Sequence, residues 1–242
     1  MTDGYTAPVS AIPTKDGSDR SRTLGECFRA FAQRLSPRVL ASTTAVCLVL
    51  RLLVGGYSWR DLVAAAALVA IAPFFEWVVH VTVLHARPKQ IAGRTFELPN
   101  AKEHRIHHED PANLDRVLIP TNVLPIDMLA IALIATGLGS AVWWIFGGAW
   151  LPITLSALVV AAGYLFVYEW SHFLMHSPYK PKSRYFAHLW KSHRLHHYKN
   201  EHHWFGVTSV VADIALGTAP DQRSVERSPT ARALHGGVES DD

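Results

Sequence analysis

Residues 62–85 read "LVAAAALVAIAPFFEWVVHVTVLH", an apolar run that contains one acid and two histidines in its second half. As a helix, its 24 residues would be about 36 Å long. The hydrocarbon core of a bilayer is thinner than this, about 30 Å. The run therefore predicts a membrane-spanning helix whose final turns, carrying His80 and His85, emerge on one side of the membrane.

Three further apolar runs occupy residues 39–57, 123–148 and 149–176. A Gly-Gly pair joins the last two, which predicts a tight antiparallel hairpin. An apolar content of 49% in 242 residues also exceeds that of most soluble domains. We therefore predict an all-α membrane protein with four transmembrane helices in two antiparallel hairpins. Its domain would cover residues 39–219, between disordered cytosolic tails at 1–38 and 220–242.

Lysine and arginine are distributed unevenly around these helices. The N-terminal tail and the segments 86–122 and 177–242 carry many of them, whereas the two opposite loops offer only Arg60. Because cytoplasmic loops carry an excess of Lys and Arg, both termini and the segments after the second and fourth helices are predicted to be cytoplasmic. A net charge of +3 does not indicate nucleic acid, and two cysteines are too few for a disulfide framework.

The histidines form four clusters on this predicted cytoplasmic side. The heptapeptides KEHRIHH (102–108) and KSHRLHH (191–197) repeat nearly the same pattern, and shorter clusters end the second and fourth helices. The clusters contain ten of the fourteen histidines: His80, His85, His104, His107, His108, His172, His176, His193, His196 and His197.

The spacing within the clusters points to metal binding. Steps of three and four residues return side chains to one helix face, so each cluster aims two or three imidazoles at one point. The five-residue step from His80 to His85 fits a helical face less well, and we expect the helix to fray or end near Pro88. Ten imidazoles suit two metal ions with four to six ligands each.

The cluster order HxxxxH, HxxHH, HxxxH, HxxHH resembles the membrane fatty acid hydroxylase superfamily, which includes sterol desaturases, carotene hydroxylases and fatty acid 2-hydroxylases. The resemblance spans residues 74–219, and the stretches "NAKEHRIHH" and "FGVTSVVADIALGT" are most similar to the fatty acid 2-hydroxylase branch. It implies a helical bundle under a cytosolic helical cap, in which the ten clustered histidines bind two iron ions.

The resemblance also implies an activity: O2-dependent hydroxylation of a fatty acyl lipid near its headgroup. Zinc could replace iron, because imidazole binds zinc more tightly in the divalent series. The N-terminal tail is too short for a fused cytochrome b5 domain, so electrons are expected from an external ferredoxin or cytochrome b5 with its reductase. Two alternatives stay open. One is a sterol or carotenoid hydroxylase or desaturase of the same superfamily; the other is a non-enzymatic metal-binding protein or transporter.

Three carboxylates are candidates for orienting the imidazoles. "EWVVH" at 76–80 and "EWSH" at 169–172 pair an acid with a nearby histidine, and a carboxylate can accept the second N–H of a metal-bound imidazole. The alternative for Glu76 and Glu169 is an interfacial acid hydrated by water. Asp213 is the third candidate, with a capping or turn role as its alternative. The remaining histidines stay outside the predicted ligand set: His188, His202, His203 and His235.

Overall fold

The computed structural model describes residues 22–234, and nearly all of its regular structure is helical. In chain order the elements are α1 (Leu24–Ala32), α2 (Leu35–Val54), α3 (Trp59–Val79), a π-helical turn (His80–Leu84), β1 (Lys89–Ile91), β2 (Arg94–Phe96), α4 (Pro99–Glu109), α5 (Leu124–Phe146), α6 (Trp150–His176), α7 (Arg184–Tyr198), α8 (Val211–Ala215) and a 3₁₀ turn (Gln222–Ser224). Among these residues the one sheet is the short antiparallel pair of β1 and β2. The predicted all-α fold is confirmed.

Four helices are long and apolar enough to cross a bilayer, as predicted. They are α2, α3 together with its π-helical turn, α5 and α6, with 20, 26, 23 and 27 residues respectively. A transmembrane helix needs about 20 residues. The antiparallel hairpins and the cytoplasmic side of the cap stay predictions.

The first of these spans is shifted from its predicted bounds of 39–57. Helix α2 begins at Leu35, with Pro37 in its first turn, where the missing N–H removes no helical hydrogen bond. It ends at Val54, before Gly55 and Gly56, whose φ angles are 63° and 65°. Such positive φ angles favour glycine and stop the helix.

Helix α6 lies at the centre of the bundle. In its most apolar window 39% of the residues are buried, against 17% in each of the other three spans. Small side chains allow the neighbouring helices to pack closely against α6. Two of them, Ala157 and Ala161, belong to a core cluster with residues of α3 and α5. At Gly139 of α5 the approach is so close that a Cβ atom would lie 2.7 Å from the Thr154 Cα atom.

A buried ion pair ties the helices together at the end of the bundle away from the histidines. The Arg51 guanidinium is 4% exposed and lies 2.9 Å from the Asp61 carboxylate, on α3. It also donates to the Ser156 hydroxyl of α6 at 2.7 Å and to the Gly55 carbonyl at 2.6 Å. These partners compensate a charge that would be costly in a lipid environment.

Parts of the two segments predicted to be disordered tails have ordered structure within residues 22–234. Helix α1 buries Cys27 and Phe31, and the Phe31 ring lies 5.2 Å from that of Trp170 and 5.6 Å from that of Phe173 on α6. The apolar residues of α1 recur at helical spacing, a signal that the polar surroundings obscured. At the other end, Ala231 and Leu234 are each only 2% exposed.

Replacing Gly139 by Ala is expected to destabilise the protein, because the new methyl group collides with the Thr154 backbone. Overpacking of this kind costs about 1–3 kcal/mol, which thermal unfolding in detergent would detect. Gly137→Ala is the matched control on the same helix, since a Cβ there meets no atom within 4 Å, and helix propensity favours Ala over Gly. Equal unfolding temperatures for the two variants would contradict the close packing of α5 on α6.

Candidate metal centre

The ten clustered histidines lie together in two groups of five. The first group is His80, His85, His104, His108 and His196; the second is His107, His172, His176, His193 and His197. Within each group the candidate ligand atoms all lie within 4.8 Å of one another. Eight of the ten side chains belong to buried residues, and His85 and His176 are half-buried.

Each copy of the repeated heptapeptide serves both groups. On α4, His104 and His108 belong to the first group, while His107 belongs to the second. On α7 the assignment is reversed, because His193 and His197 belong to the second group and His196 to the first. Residues four apart share a helix face, and the intervening histidine points to the neighbouring group. The two helices therefore lie across both groups.

The five-residue step from His80 to His85 is explained by a π-helical turn, not by fraying as we expected. The His85 N–H donates to the His80 carbonyl at 3.0 Å, which is the i to i+5 bond of a π-helix. The two rings consequently lie with their centroids 5.0 Å apart, both in the first group. Because a π-helical turn contains more residues than an α-helical turn, side chains five residues apart lie on the same face.

Imidazole nitrogens face one another inside both groups. In the first group, Nε2 of His104 lies 3.2 Å from Nε2 of His80 and 3.2 Å from Nε2 of His108. In the second group, Nε2 of His193 lies 2.8 Å from Nε2 of His176 and 3.0 Å from Nε2 of His197. Each group thus has a small centre surrounded by ring nitrogens.

Main-chain carbonyls determine which ring nitrogen carries the proton. Three Nδ1 atoms lie 2.8–2.9 Å from a carbonyl oxygen: His80 from Phe205, His108 from Ala231, and His196 from His203. Since a carbonyl can only accept, Nδ1 must be the donor, and the Nε2 atom of a neutral ring keeps its lone pair. In the second group, His172 and His176 donate hydrogen bonds to the backbones of Val117 and Pro111, respectively.

Burial also keeps the imidazoles of α4 and α7 neutral. It lowers the pKa of His108 to about 3, because the charged ring would lose its hydration. The same desolvation, together with neighbouring imidazoles, lowers the pKa well below its ordinary value for His104, His107, His193, His196 and His197. Neutral imidazole is the form that binds a metal ion.

This donor set fits a transition-metal ion. Within residues 22–234, no hydrogen-bond partner is found for Nε2 of His172, Nε2 of His196 or either ring nitrogen of His107. An unsatisfied buried acceptor costs about 1–3 kcal/mol, and lone pairs that face one another repel. A cation at the centre of each group would remove both penalties. Sites made of imidazole nitrogens suit iron, zinc, copper and nickel.

Glu76 and Asp213 bind the backbone of one loop instead of an imidazole. Glu76 accepts from the main-chain N–H groups of Val207 and Thr208 and from the Thr208 hydroxyl. Asp213 accepts from the N–H groups of Phe205 at 3.0 Å and Gly206 at 2.7 Å. The two acids hold the loop whose Phe205 carbonyl contacts His80. They position that imidazole through the loop, not by the direct contact that we predicted.

Glu169 acts in a similar way on a different segment. Its carboxylate accepts from the Ser36 hydroxyl of α2 at 2.6 Å and from the Ile119 N–H at 2.7 Å. Val117, whose backbone accepts a hydrogen bond from His172, lies two residues before Ile119. Glu169 therefore holds the segment that orients His172, and again the predicted contact of acid and imidazole is replaced by main-chain groups.

The comparison with known families agrees with this geometry. Residues 65–218, which include all ten clustered histidines, match the model of the fatty acid hydroxylase family. The chain belongs to this family. The predicted resemblance is confirmed.

Two curated relatives of this member of the fatty acid hydroxylase family come from Arabidopsis thaliana. Dihydroceramide fatty acyl 2-hydroxylase FAH1 is 29% identical over 155 residues, which are 62% of this chain and 58% of the relative. Dihydroceramide fatty acyl 2-hydroxylase FAH2 is 26% identical over 147 residues, 60% and 55% of the two chains. The match therefore spans a little over half the length of these relatives.

A solved structure shows the same fold. The hydroxylase domain visible in full-length Scs7p superposes with a TM-score of 0.58 at 19% sequence identity. The superposition covers 79% of this chain and 66% of that one. The helical arrangement is thus shared although few residues are identical.

The other histidines of this family member lie outside both groups, within the part of the chain that the structure describes. His202 is 60% exposed and lies 3.6 Å from the Glu201 carboxylate. His203 contributes only its carbonyl, to His196. His188 lies on α7, and His235 falls outside the described residues. The sequence did not predict the main-chain acceptors of Phe205, His203 and Ala231. Every residue has a carbonyl group, so the residue type does not show which carbonyl accepts a hydrogen bond from a histidine.

Replacing Asp213 by Asn should lower the metal content of the purified protein. The amide keeps one acceptor oxygen but places an NH2 donor opposite one of the two N–H groups, of Phe205 or Gly206, so the loop that orients His80 would shift. Loss of such an outer contact lowers metal affinity about 10–100-fold. Elemental analysis measures the effect, and Asp221→Asn is the control, because exposed Asp221 only caps the 3₁₀ turn. Wild-type metal content in Asp213→Asn would contradict the assigned role.

Proposed function

We propose that this chain is an O2-dependent, non-haem di-iron membrane hydroxylase, and that each histidine group binds one iron ion. The observation that carries the proposal is the pair of adjacent, all-imidazole groups. The rings of His108 and His197, one from each group, have centroids 4.1 Å apart. Two ions held so close together could act on one substrate. Zinc would compete for the same nitrogens.

Bound iron would supply the O2-derived oxidant that an unactivated C–H bond requires, since no amino-acid side chain can provide one. One oxygen atom enters the lipid and the other leaves as water, with two electrons and two protons from a donor. We propose an external donor, a ferredoxin or a cytochrome b5 with its reductase. The chain itself holds the imidazoles neutral, fixes their orientation and excludes water from eight of the ten residues.

The position of the site favours a lipid substrate. The two half-buried members, His85 and His176, lie at the end of the α3 span and at the end of α6. Both groups are therefore most open where membrane-spanning helices end. Acyl carbons close to a lipid headgroup lie at this depth, so geometry can select the carbon that reacts. We place this side in the cytoplasm, on the basis of the Lys and Arg distribution.

The names of the two plant relatives support a more specific substrate. Both are described as acting on the fatty acyl chain of dihydroceramide at carbon 2. We extend this chemistry to the present chain as hydroxylation of an acyl lipid at the carbon next to its carbonyl group. The histidines also lie at helix ends, whereas transporters usually bind ions near the bilayer midplane. This favours the enzyme over a transporter.

Lipid mass spectrometry of cells that express the chain would test this function. The wild type should produce a lipid heavier by one oxygen atom, and the His104→Ala, His193→Ala double variant should not, because each substitution removes an imidazole from one group. His202→Ala is the matched control outside both groups. A product lighter by two hydrogen atoms would indicate a desaturase. A variant that loses metal while neither chain changes any lipid would indicate a protein that only binds metal.

A further inference from the structure

The C-terminal segment, residues 225–234, lies beyond the residues that match the family, 65–218. It nevertheless reaches the first histidine group. The Ala231 carbonyl accepts the Nδ1 hydrogen of His108 at 2.9 Å, and Ala231 is only 2% exposed. One wall of the candidate metal centre therefore comes from a part of the chain outside the family match.

Arg232 holds this segment against the end of α4. Its Nε donates to the His108 carbonyl at 2.9 Å, and its Nη2 donates to the Glu109 carbonyl. The last carbonyls of a helix have no partner within the helix, and a cation is favourable there. The guanidinium also lies over the ring of Tyr198, the last residue of α7, with 5.3 Å to the centroid. Arg232 thus joins the ends of the two helices that carry the heptapeptides.

A buried acid holds the segment from the other side. Glu201 is 1% exposed and accepts from the hydroxyl groups of Ser228 at 3.0 Å and Thr230 at 2.5 Å. The Ser228 N–H donates to the Lys199 carbonyl at 2.8 Å. Glu201 lies in the loop after α7 that also contains His203, whose carbonyl contacts His196. The segment and this loop form one hydrogen-bonded unit.

We propose that the C-terminal segment positions ligands of the first metal site, with Arg232 as its main positioning residue. The segment contacts His108 directly and His196 through the 201–203 loop, and both histidines belong to the first group. In the second group, His172 and His176 donate instead to the backbones of Val117 and Pro111. Arg232 therefore controls metal retention at the first site and leaves the second unchanged. The inference rests on the proposed binding of one metal ion by each group.

Titration of the purified, metal-stripped full chain with Co²⁺ tests the inference without any need for turnover. Equilibrium dialysis counts the bound ions, and the visible absorption of Co²⁺ reports the ligand geometry. The wild type should bind two ions. Arg232→Ala should bind one ion with unchanged affinity and the other about 10–100-fold more weakly, the range found when outer contacts of metal ligands are removed. Its Co²⁺ absorption should change for the weakened ion alone.

Two further variants make the test specific. Arg227→Ala removes the same charge from an exposed position of the same segment and should bind both ions like the wild type. Arg232→Lys should recover part of the lost affinity, because an ammonium group can still donate to the carbonyls at the end of α4. Thr230→Val keeps the side-chain shape but removes the hydrogen bond to Glu201, and should weaken the same ion without truncating Arg232.

The outcomes separate this inference from the proposed function. Two sites of wild-type affinity in both Arg232→Ala and Thr230→Val would overturn the positioning role and leave the di-metal centre intact. Equal weakening of both ions would also overturn it, since that pattern reflects general loosening of the cap. A wild-type chain that binds fewer than two Co²⁺ ions would overturn the di-metal proposal itself, and the inference with it.

Discussion

Buried imidazole rings that point their lone pairs at one another are held in one orientation when a hydrogen bond satisfies the outward nitrogen. The main chain meets this condition in the first group, where carbonyls of Phe205, Ala231 and His203 accept Nδ1 hydrogens. Each such bond selects one tautomer and one ring orientation. The surrounding loops are therefore parts of the candidate metal centre, although they contribute none of the ten clustered imidazoles.

The carboxylates form the next layer outward. Glu76 and Asp213 accept main-chain N–H groups of the 205–208 loop, and Glu169 accepts that of Ile119. A carboxylate has several lone-pair sites and can hold two amides at once, which makes it well suited to fixing a loop. Glu76, Glu169 and Asp213 belong to α3, α6 and α8, respectively, so their hydrogen bonds attach the loops to helices. The orientation of an imidazole is consequently linked to the packing of the bundle.

The length of the candidate membrane spans bears on where the histidines lie. Helix α6 and the α3 span are longer than the roughly 20 residues that a bilayer requires, and their clustered histidines lie in or directly after their last turns. The central position of α6 depends on small residues such as Gly139 of α5 at its contacts. The central position of α6 thus has two results: close helix packing, and a fixed location for His172 and His176 at the end of that helix.

The sequence by itself determined the four spans, the all-α class and the ten histidines that gather, because apolar length and helical spacing are local properties of a chain. Only the tertiary structure decided how the histidines divide into two groups, since the division depends on how α4 and α7 meet the ends of α3 and α6. Tertiary structure also decided four other features: the π-helical turn, the main-chain acceptors, the burial of α1 and the burial of residues 225–234. Each depends on partners distant in the chain: Phe31 is buried by Trp170 and Phe173, and Ala231 by its contact with His108. For residues 225–234, burial supplied by distant partners leaves no local pattern. In α1 the apolar residues do recur at helical spacing, but their polar surroundings obscured that signal, and so the sequence predicted disorder in both segments.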